Sequence, residues 1–184
     1  MDDARESTAN TRPDGVGGPA SSDGLDGPDN PDNPDNPDNP GNPGNPGNPE
    51  ILAEERRRRY ERGLPWVKAV VGEPGLAAIS SVSQVAPEME QWIVAFGFGD
   101  VYSRPALPPR DRQLLTMATL TALGGCEPQL KLHIKAALNV GVTPEEVVET
   151  FMHAAGYCGF PRAMNALGVA REVFDELGVV PPKE

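Results

Sequence analysis

The chain lacks several features, and each absence excludes a class of protein. No run of about 18 apolar residues occurs, so we expect no membrane span and no membrane partner. The first ten residues have neither the basic start nor the apolar centre of a signal peptide. The chain holds only two cysteines, which in a reducing compartment are expected to be free thiols. These absences predict a cytoplasmic protein.

The motifs of metal, nucleotide and serine-nucleophile chemistry are also missing. His133 and His153 are the only histidines, and no pair such as CxxC or HxxxH begins a metal site. Neither a GxSxG turn nor a phosphate-cradling glycine loop occurs. The sequence therefore predicts no metal and no cofactor.

The first 49 residues differ in composition from the rest. They contain 10 of the 21 prolines, no aromatic residue, and 10 acidic against 2 basic residues, which is most of the net charge of −11. From Pro28 to Pro49 a triplet repeats, first as Pro-Asp-Asn and then as Pro-Gly-Asn. Such a composition buries too little apolar surface to offset the entropy of ordering. We expect a disordered, partly extended acidic tail over residues 1–49 and a folded domain over residues 50–184.

Basic residues give no sign of a nucleic-acid partner. The run "RRRR" at 56–59 is flanked by glutamates at helical spacing, so it is expected to form ion pairs along a helix.

The folded part has helical periodicity throughout and predicts a compact all-α bundle of about six helices. The first helix, near residues 50–71, is expected to bend or break at Pro65. The second begins at Pro87 and is expected to end in the glycines of "FGFGD". The third has no charge from Leu114 to Leu123, which predicts a helix in the centre of the core.

The last three helices have clear start and stop signals. The fourth covers about 127–140 and stops at Gly141. The fifth begins with Thr143, Pro144 and Glu146, which form the pattern of a capping box, and it runs to about residue 157. The sixth runs from about residue 161 to residue 177 and is closed by a glycine.

Helical spacing places the two histidines differently. His133 projects towards the apolar stripe of the fourth helix, where a histidine needs a hydrogen-bonding partner or a polar cavity. That position suits a structural histidine as well as a catalytic one. On the fifth helix, the predicted buried side includes Val147, Phe151 and Met152. His153 lies on the other side with Tyr157, and that side is either a solvated ion-paired face or one covered by a second subunit.

Two stretches of the sequence resemble a known protein family: "FGDVYSRPALPPRDRQLLTMATLTALGG" and "QLKLHIKAALNVGVTPEEVVETFMHAAGYCGFPRAMNAL". Over about residues 52–177 the chain resembles the carboxymuconolactone decarboxylase family. The resemblance implies an all-helical, alkylhydroperoxidase D-like fold and a homo-oligomer, a trimer or a hexamer. It implies one of two chemistries, because the family includes a cofactor-free decarboxylase of protocatechuate catabolism and peroxidases with the motif CxxCxxxH.

The peroxidase motif is incomplete in this chain. Cys126 and His133 stand at its first cysteine and its histidine, but Gln129 replaces the second cysteine. A glutamine cannot resolve a sulfenic acid, so Cys158 would have to replace the missing thiol. The resemblance therefore favours the decarboxylase branch.

Decarboxylation of a lactone that carries a carboxylate needs no metal, because the conjugated lactone carbonyl accepts the electrons. The resemblance implies that His133 is the general acid or base and that Arg104 clamps the anionic substrate. A second interpretation of Arg104 is an ion pair with Asp100 or another acid that fixes the turn. Further side chains are predicted to bind substrate, although some of them suit plain packing or a neighbouring subunit's site: Tyr102, Trp92, Phe96, Cys126, His153 and Tyr157.

The predicted function is the conversion of 4-carboxymuconolactone, or a similar lactone, to 3-oxoadipate enol-lactone and CO2. Tyr102 departs from the tryptophan expected at that position of the decarboxylases. Three alternatives remain open: the same acid–base site acting on another small molecule of secondary metabolism, a thiol peroxidase, and a non-catalytic oligomeric binding module.

Overall fold

The computed structural model describes residues 30–42, 44–45 and 47–180. The elements are α1 (Pro49–Val82), α2 (Pro87–Trp92) with a following π-helical segment (Ile93–Tyr102), α3 (Pro109–Leu123), α4 (Glu127–Asn139), α5 (Pro144–Cys158) and α6 (Phe160–Leu177). The described ranges contain no strand, so the predicted all-α bundle is confirmed. Within those ranges no helix has the length and apolar character needed to cross a membrane. The chain divides into two units, residues 1–52 and 53–184.

In the first unit, the triplets between Asn30 and Asn48 form a regular series of turns. Each asparagine after Asn30 donates its backbone N–H to the carbonyl of the asparagine three residues earlier. Asn36 is typical: its Nδ2 donates to the Asn30 carbonyl at 2.8 Å, and its Oδ1 accepts from the Asp38 N–H at 2.9 Å. Since proline has no N–H, these bonds satisfy both backbone donors of a triplet.

In the described part of the predicted tail, residues 30–48, the chain forms this repeating turn. Composition registers the shortage of apolar surface but not hydrogen bonds between regularly spaced asparagines. Residues 1–29 of the predicted disordered tail lie outside the described residues.

In the second unit, α4 lies between two apolar clusters. Leu130, Ile134 and Ala137 belong to a cluster with buried side chains of α3, α5 and α6. Ala136 belongs to the other cluster, which contains side chains of α1 and the π-helical segment. The predicted apolar stripe of α4 is therefore confirmed, and a second buried face exists beside it. His133 lies on the side of that second face.

Two glycines allow α1 and the π-helical segment to meet backbone against backbone. A Cβ atom on Gly63 would collide with the Val94 carbonyl, and one on Gly99 would collide with the Arg59 carbonyl. Next to this contact, Asp100 accepts from Arg59 Nε at 2.8 Å and from Arg62 at 2.6 Å. The two arginines hold the pKa of Asp100 below its usual value, the hydrogen bond from Arg59 being the largest cause. The π-helical segment is thus anchored on α1.

Several predicted helix signals are confirmed. Thr143 Oγ1 accepts from the Glu146 N–H, and the Glu146 carboxylate accepts from the Thr143 N–H, which completes the capping box. Gly178 ends α6 in the left-handed conformation. In the "RRRR" run, Arg57 and Arg58 pair with Glu54 as helical spacing predicts.

Two helix boundaries differ from the prediction. α1 does not break at Pro65; its backbone departs from helical geometry at Gly72, where φ is 67°. Burial of Gly63 and Val67 on either side of Pro65 offsets the one hydrogen bond that the proline removes. The second helix does not end in the glycines of "FGFGD", because it continues to Tyr102 as a π-helix.

Two predictions of burial are wrong. α3 is not buried on all sides: Met117 is buried, but Leu115 and Leu123 are 57% and 62% exposed. Met152 on α5 is 55% exposed, whereas Val147 and Phe151 are buried as predicted. Apolar periodicity does not show how far neighbouring helices cover a face, and in this unit they cover one side of α3.

Candidate active site

His133 lies where two cavities meet. One cavity, of 420 Å³, is bordered by α1, the π-helical segment and α4; its lining includes Val71, Phe98 and Gln129. The other, of 380 Å³, is bordered by the π-helical segment and α3, and its lining includes Tyr102. His133 lines both cavities. Among residues 30–42, 44–45 and 47–180, it is the only ionisable side chain that lines the first cavity, and it shares the second with the phenol of Tyr102.

A chain of hydrogen bonds holds the imidazole in place. Gln113 on α3 is fully buried, and its Nε2 donates to the Tyr102 hydroxyl at 2.7 Å. Gln113 Oε1 lies 3.0 Å from His133 Nδ1. Three elements, the π-helical segment, α3 and α4, therefore each contribute one member of this Tyr102–Gln113–His133 chain. His133 has the partner that its position on the packed side of α4 requires.

Burial shifts the titration of both ends of this chain. Loss of contact with water disfavours charge, which lowers the pKa of His133 and raises that of Tyr102. Burial therefore favours the neutral form of both groups. An anionic molecule in either cavity would favour the imidazolium form of His133.

The predicted aromatic side chains gather on one wall of the second cavity. Trp92 and Phe96 line it and are each 62% exposed, so they form its outer part. Phe98, which the sequence analysis did not single out, stacks on Tyr102 with ring centres 5.0 Å apart. The structure thus brings Tyr102, Trp92 and Phe96 to the cavity of His133, and their role in binding substrate stays a prediction.

Arg104 is exposed and lines neither cavity. The alternative of an ion pair with Asp100 is not seen, because Asp100 pairs with Arg59 and Arg62. The arginine that approaches the site is Arg112, whose guanidinium lies 5.5 Å from the centre of the Tyr102 ring. Arg112 also donates to the carbonyl oxygen of Arg104 at 3.0 Å, so it fixes the turn that contains Arg104.

His153 and Tyr157 lie in a different place, a groove of 630 Å³ between α3 and α5. Their rings are 5.2 Å apart, and Tyr157 is 83% exposed. One wall of the groove is apolar and comes from α3, whereas α5 contributes Glu146 and Glu149. Within the described chain, these two predicted site residues do not meet His133.

The cysteines are free thiols at two further positions. Cys126 precedes α4 and borders a small cavity with Arg162 and Asn165, away from the lining of the His133 cavities. Cys158 lines the groove between α3 and α5. Among the described residues, His133 therefore has Gln129 rather than a thiol beside it in its cavity, and no cluster of three or more His, Cys, Asp or Glu could hold a metal ion.

Gln113 is the site residue that sequence reasoning missed. It precedes the uncharged stretch of α3 and shares the helix face of Met117 and Thr121. A polar side chain on an otherwise apolar face requires a buried partner, and that requirement is the signal that could have found it. The partner could not be read from the sequence, because it belongs to another helix.

Comparison with known proteins places these features in a family. Residues 87–172 match the model of the carboxymuconolactone decarboxylase family. The matched region contains the π-helical segment and all three members of the Tyr102–Gln113–His133 chain.

Individual relatives are similar over most of their own length. A 4-carboxymuconolactone decarboxylase of Acinetobacter baylyi is 37% identical over 127 residues, which are 68% of this chain and 94% of the relative. A nitrosuccinic acid decarboxylase of Metarhizium robertsii is 30% identical over 125 residues, which are 67% of this chain and 87% of the relative. An uncharacterised 15.0 kDa protein of Paracoccus denitrificans is 30% identical over 97 residues, covering 52% of this chain and 72% of its own length.

Proposed function

Since the chain belongs to the carboxymuconolactone decarboxylase family, we propose that it is a cofactor-independent carboxy-lyase acting on a small carboxylated lactone. The proposed reaction converts 4-carboxymuconolactone to 3-oxoadipate enol-lactone and CO2. His133 is the proposed general acid and base. Two relatives that are named as decarboxylases support this class of reaction.

The substrate provides its own electron sink. When the bond between the ring carbon and its carboxylate breaks, the electron pair moves through the ring double bond to the lactone carbonyl oxygen, and CO2 leaves. A proton must then reach carbon. The protein has to place the departing carboxylate in poorly solvated surroundings, stabilise the dienolate oxygen and supply the proton.

The position of His133 carries the proposal. Within the part of the chain that the structure describes, it is the one ionisable group that borders both cavities, and the walls around it are mostly apolar. Apolar walls solvate a carboxylate poorly, which favours its loss as neutral CO2. The imidazole lies where a substrate in either cavity would meet a proton donor.

The cationic partner of the substrate is proposed to be an arginine of the segment between the π-helical segment and α3. Arg104 is the candidate that the family resemblance supplies. The structure suggests Arg112 instead, because its guanidinium packs over the ring of Tyr102, and Tyr102 lines the second cavity. An arginine here would hold the carboxylate that remains on the substrate, not the one that leaves.

A second candidate substrate is nitrosuccinate, favoured by the relative that is named for it. A nitro group beside the leaving carboxylate accepts electrons as the unsaturated lactone does, so the same apolar cavity and proton donor would serve. A thiol peroxidase is less well supported, because Cys126 and Cys158 line neither cavity of His133.

The test is direct. Purified protein is supplied with freshly made 4-carboxymuconolactone, and CO2 release is followed for the wild type and for His133→Ala. Circular dichroism checks that both proteins are folded. We expect turnover by the wild type and a loss of about 10²–10⁴-fold in kcat for the variant.

The same assay with nitrosuccinate distinguishes the two candidate substrates. Absence of turnover on the lactone by a folded wild-type protein would refute the leading assignment. Equal turnover by His133→Ala would refute the role of the histidine while leaving the substrate assignment in place.

We also propose that the chain forms a homo-oligomer, which the family resemblance supports. Sedimentation velocity of the purified full-length chain checks it. A mass of three or six chains is expected, and a monomer at micromolar concentration would contradict it.

A further inference from the structure

Both polar atoms of the Gln113 side-chain amide have a hydrogen-bonding partner. Its Nε2 donates to the Tyr102 hydroxyl, and its Oε1 meets His133 Nδ1 at 3.0 Å. An amide oxygen has no hydrogen and can only accept. With the amide oriented so that its Nε2 donates to Tyr102, the hydrogen in the second bond belongs to Nδ1, which corresponds to one of the two neutral forms of the imidazole.

We propose that Gln113 is a positioning residue that keeps a hydrogen on Nδ1 of His133, so that Nε2 is the atom that exchanges a proton with the substrate. In the neutral ring Nε2 then carries a lone pair. In the imidazolium both nitrogens carry hydrogen, and the bond from Nδ1 to Oε1 persists. His133 can gain and lose a proton at Nε2 without turning its ring or breaking its contact with Gln113.

The role of Nε2 in the reaction rests on the proposed function. The bond between the ring carbon and the carboxylate breaks, its electron pair enters the dienolate, and CO2 leaves. The dienolate then collapses, and its carbon forms a bond to the proton of the Nε2–H group. The Nε2–H electron pair stays on Nε2, and a proton from solution restores the imidazolium.

The surroundings of the imidazole make the neutral character of Gln113 important. The lining of the two cavities comes from α1, α2, the π-helical segment, α3 and α4, and among the described residues it includes no carboxylate and no lysine. Of the described residues, Tyr102 is the one other titratable side chain in that lining, and the guanidinium of Arg112 lies over its ring. An amide at position 113 orients the ring without adding a negative charge, whereas a carboxylate there would orient it and also stabilise the imidazolium.

Three variants separate these effects. Gln113→Leu removes the acceptor and keeps most of the volume, and Gln113→Glu keeps an acceptor and adds a charge. Thr121→Val is the matched control, because Thr121 is also buried on α3 and bonds only to the Met117 carbonyl of its own helix. Circular dichroism verifies the fold of each protein.

The first readout is independent of any substrate. Nitrogen-15 NMR of the histidine rings at a pH above the His133 titration identifies which nitrogen carries hydrogen. We expect Nδ1–H in the wild type and in Thr121→Val, and a shift of the population towards Nε2–H in Gln113→Leu. A wild-type ring with hydrogen on Nε2 would overturn the proposal, and so would Gln113→Leu with the wild-type form; the wild-type spectrum alone decides if that variant fails to fold.

The second readout is the pH profile of turnover. Gln113→Glu is expected to raise the pKa of His133 by about 1–3 units, and the falling limb of kcat/KM should move to higher pH by the same amount. Gln113→Leu should lower kcat by about 10²-fold or more with little change in KM. An unmoved limb in a folded Gln113→Glu would contradict the proposal. If no acid is turned over but the wild-type ring carries its hydrogen on Nδ1, the proposed function fails and the assignment of Gln113 stands.

Discussion

The cavities of His133 and the groove of His153 contain the only two histidines of the chain in opposite surroundings. His133 is half-buried, hydrogen-bonded to Gln113 and bordered by apolar walls. His153 is exposed on α5, with the Tyr157 ring beside it and Glu149 in the same groove. Only the first arrangement combines poor solvation, a fixed ring and a space for a small molecule. The residue type alone does not make a catalytic site; the neighbouring elements do.

The largest expected difference between the two regions is in turnover. His133→Ala should lower kcat by about 10²–10⁴-fold, because it removes the proposed proton donor. His153→Ala should leave kcat and KM close to the wild-type values, because the groove does not border the proposed site. Steady-state kinetics of the two variants under one set of conditions makes the comparison. If His153→Ala abolished turnover, the groove would belong to the site and the distinction would fail.

The next difference concerns stability and uses one helix. Phe151 and Tyr157 both lie on α5, but Phe151 is fully buried and Tyr157 is 83% exposed. Phe151→Ala should lower the free energy of unfolding by about 3–5 kcal/mol, because it leaves a cavity in the core. Tyr157→Ala should change it by about 0.5 kcal/mol or less. Urea unfolding measures both, and equal losses would show that the groove face is covered in the assembled protein.

A smaller effect is expected from pH. Burial lowers the pKa of folded His133 below the value of about 6.5 in the unfolded chain. As pH falls, the unfolded chain takes up this proton first. The contribution of His133 to stability is therefore fully present above pH of about 6.5 and is lost as pH falls towards the folded pKa.

Urea unfolding at several pH values, compared with His133→Gln, isolates that contribution. The wild type should lose more stability than the variant on acidification. Thr121→Val serves as the control and should follow the wild type, because it changes a buried side chain of α3 without removing a titratable group. Parallel curves for the wild type and His133→Gln would show that the His133 imidazole is not desolvated.

The smallest effect is expected from removal of residues 1–48. The sequence of this segment offers no apolar anchor. Asparagine side chains such as those of Asn36 and Asn39 bond within the repeat, and the last one, Asn48, accepts from the Glu50 N–H in the first turn of α1. Melting temperature and CO2 release should both be unchanged in the truncated chain. A large fall in melting temperature would contradict this prediction and would assign the repeat a structural role.

Much of the fold could be predicted because it depends on local chemistry. The capping box at Thr143 and Glu146 satisfies N–H groups within one turn, and Gly178 adopts a backbone conformation that other residues rarely take. Such helix start and stop signals involve only a few neighbouring residues, so they can be recognised in the sequence. The position of His133 on the packed side of α4 could be predicted for the same reason.

The predicted helix ends were wrong where contacts with residues distant in the sequence determine the backbone conformation. Pro65 is a helix-breaking signal, but burial around it keeps α1 continuous as far as Gly72. The glycines near residue 99 suggested an end, whereas contact with the α1 backbone lets the helix continue in π form. The helix propensity of single residues contributes less free energy than tertiary packing, so packing determines the structure where the two conflict.

The helical class, most helix boundaries and the family follow from the amino-acid sequence, because each depends on short-range patterns or on the unbroken match around His133. Only the tertiary structure decided what surrounds that histidine. It brought Gln113 from α3 and Tyr102 from the π-helical segment to one ring, and it left Cys126 and His153 elsewhere. Hydrogen bonds between helices and the exclusion of water depend on how elements pack, and no spacing within one helix records that.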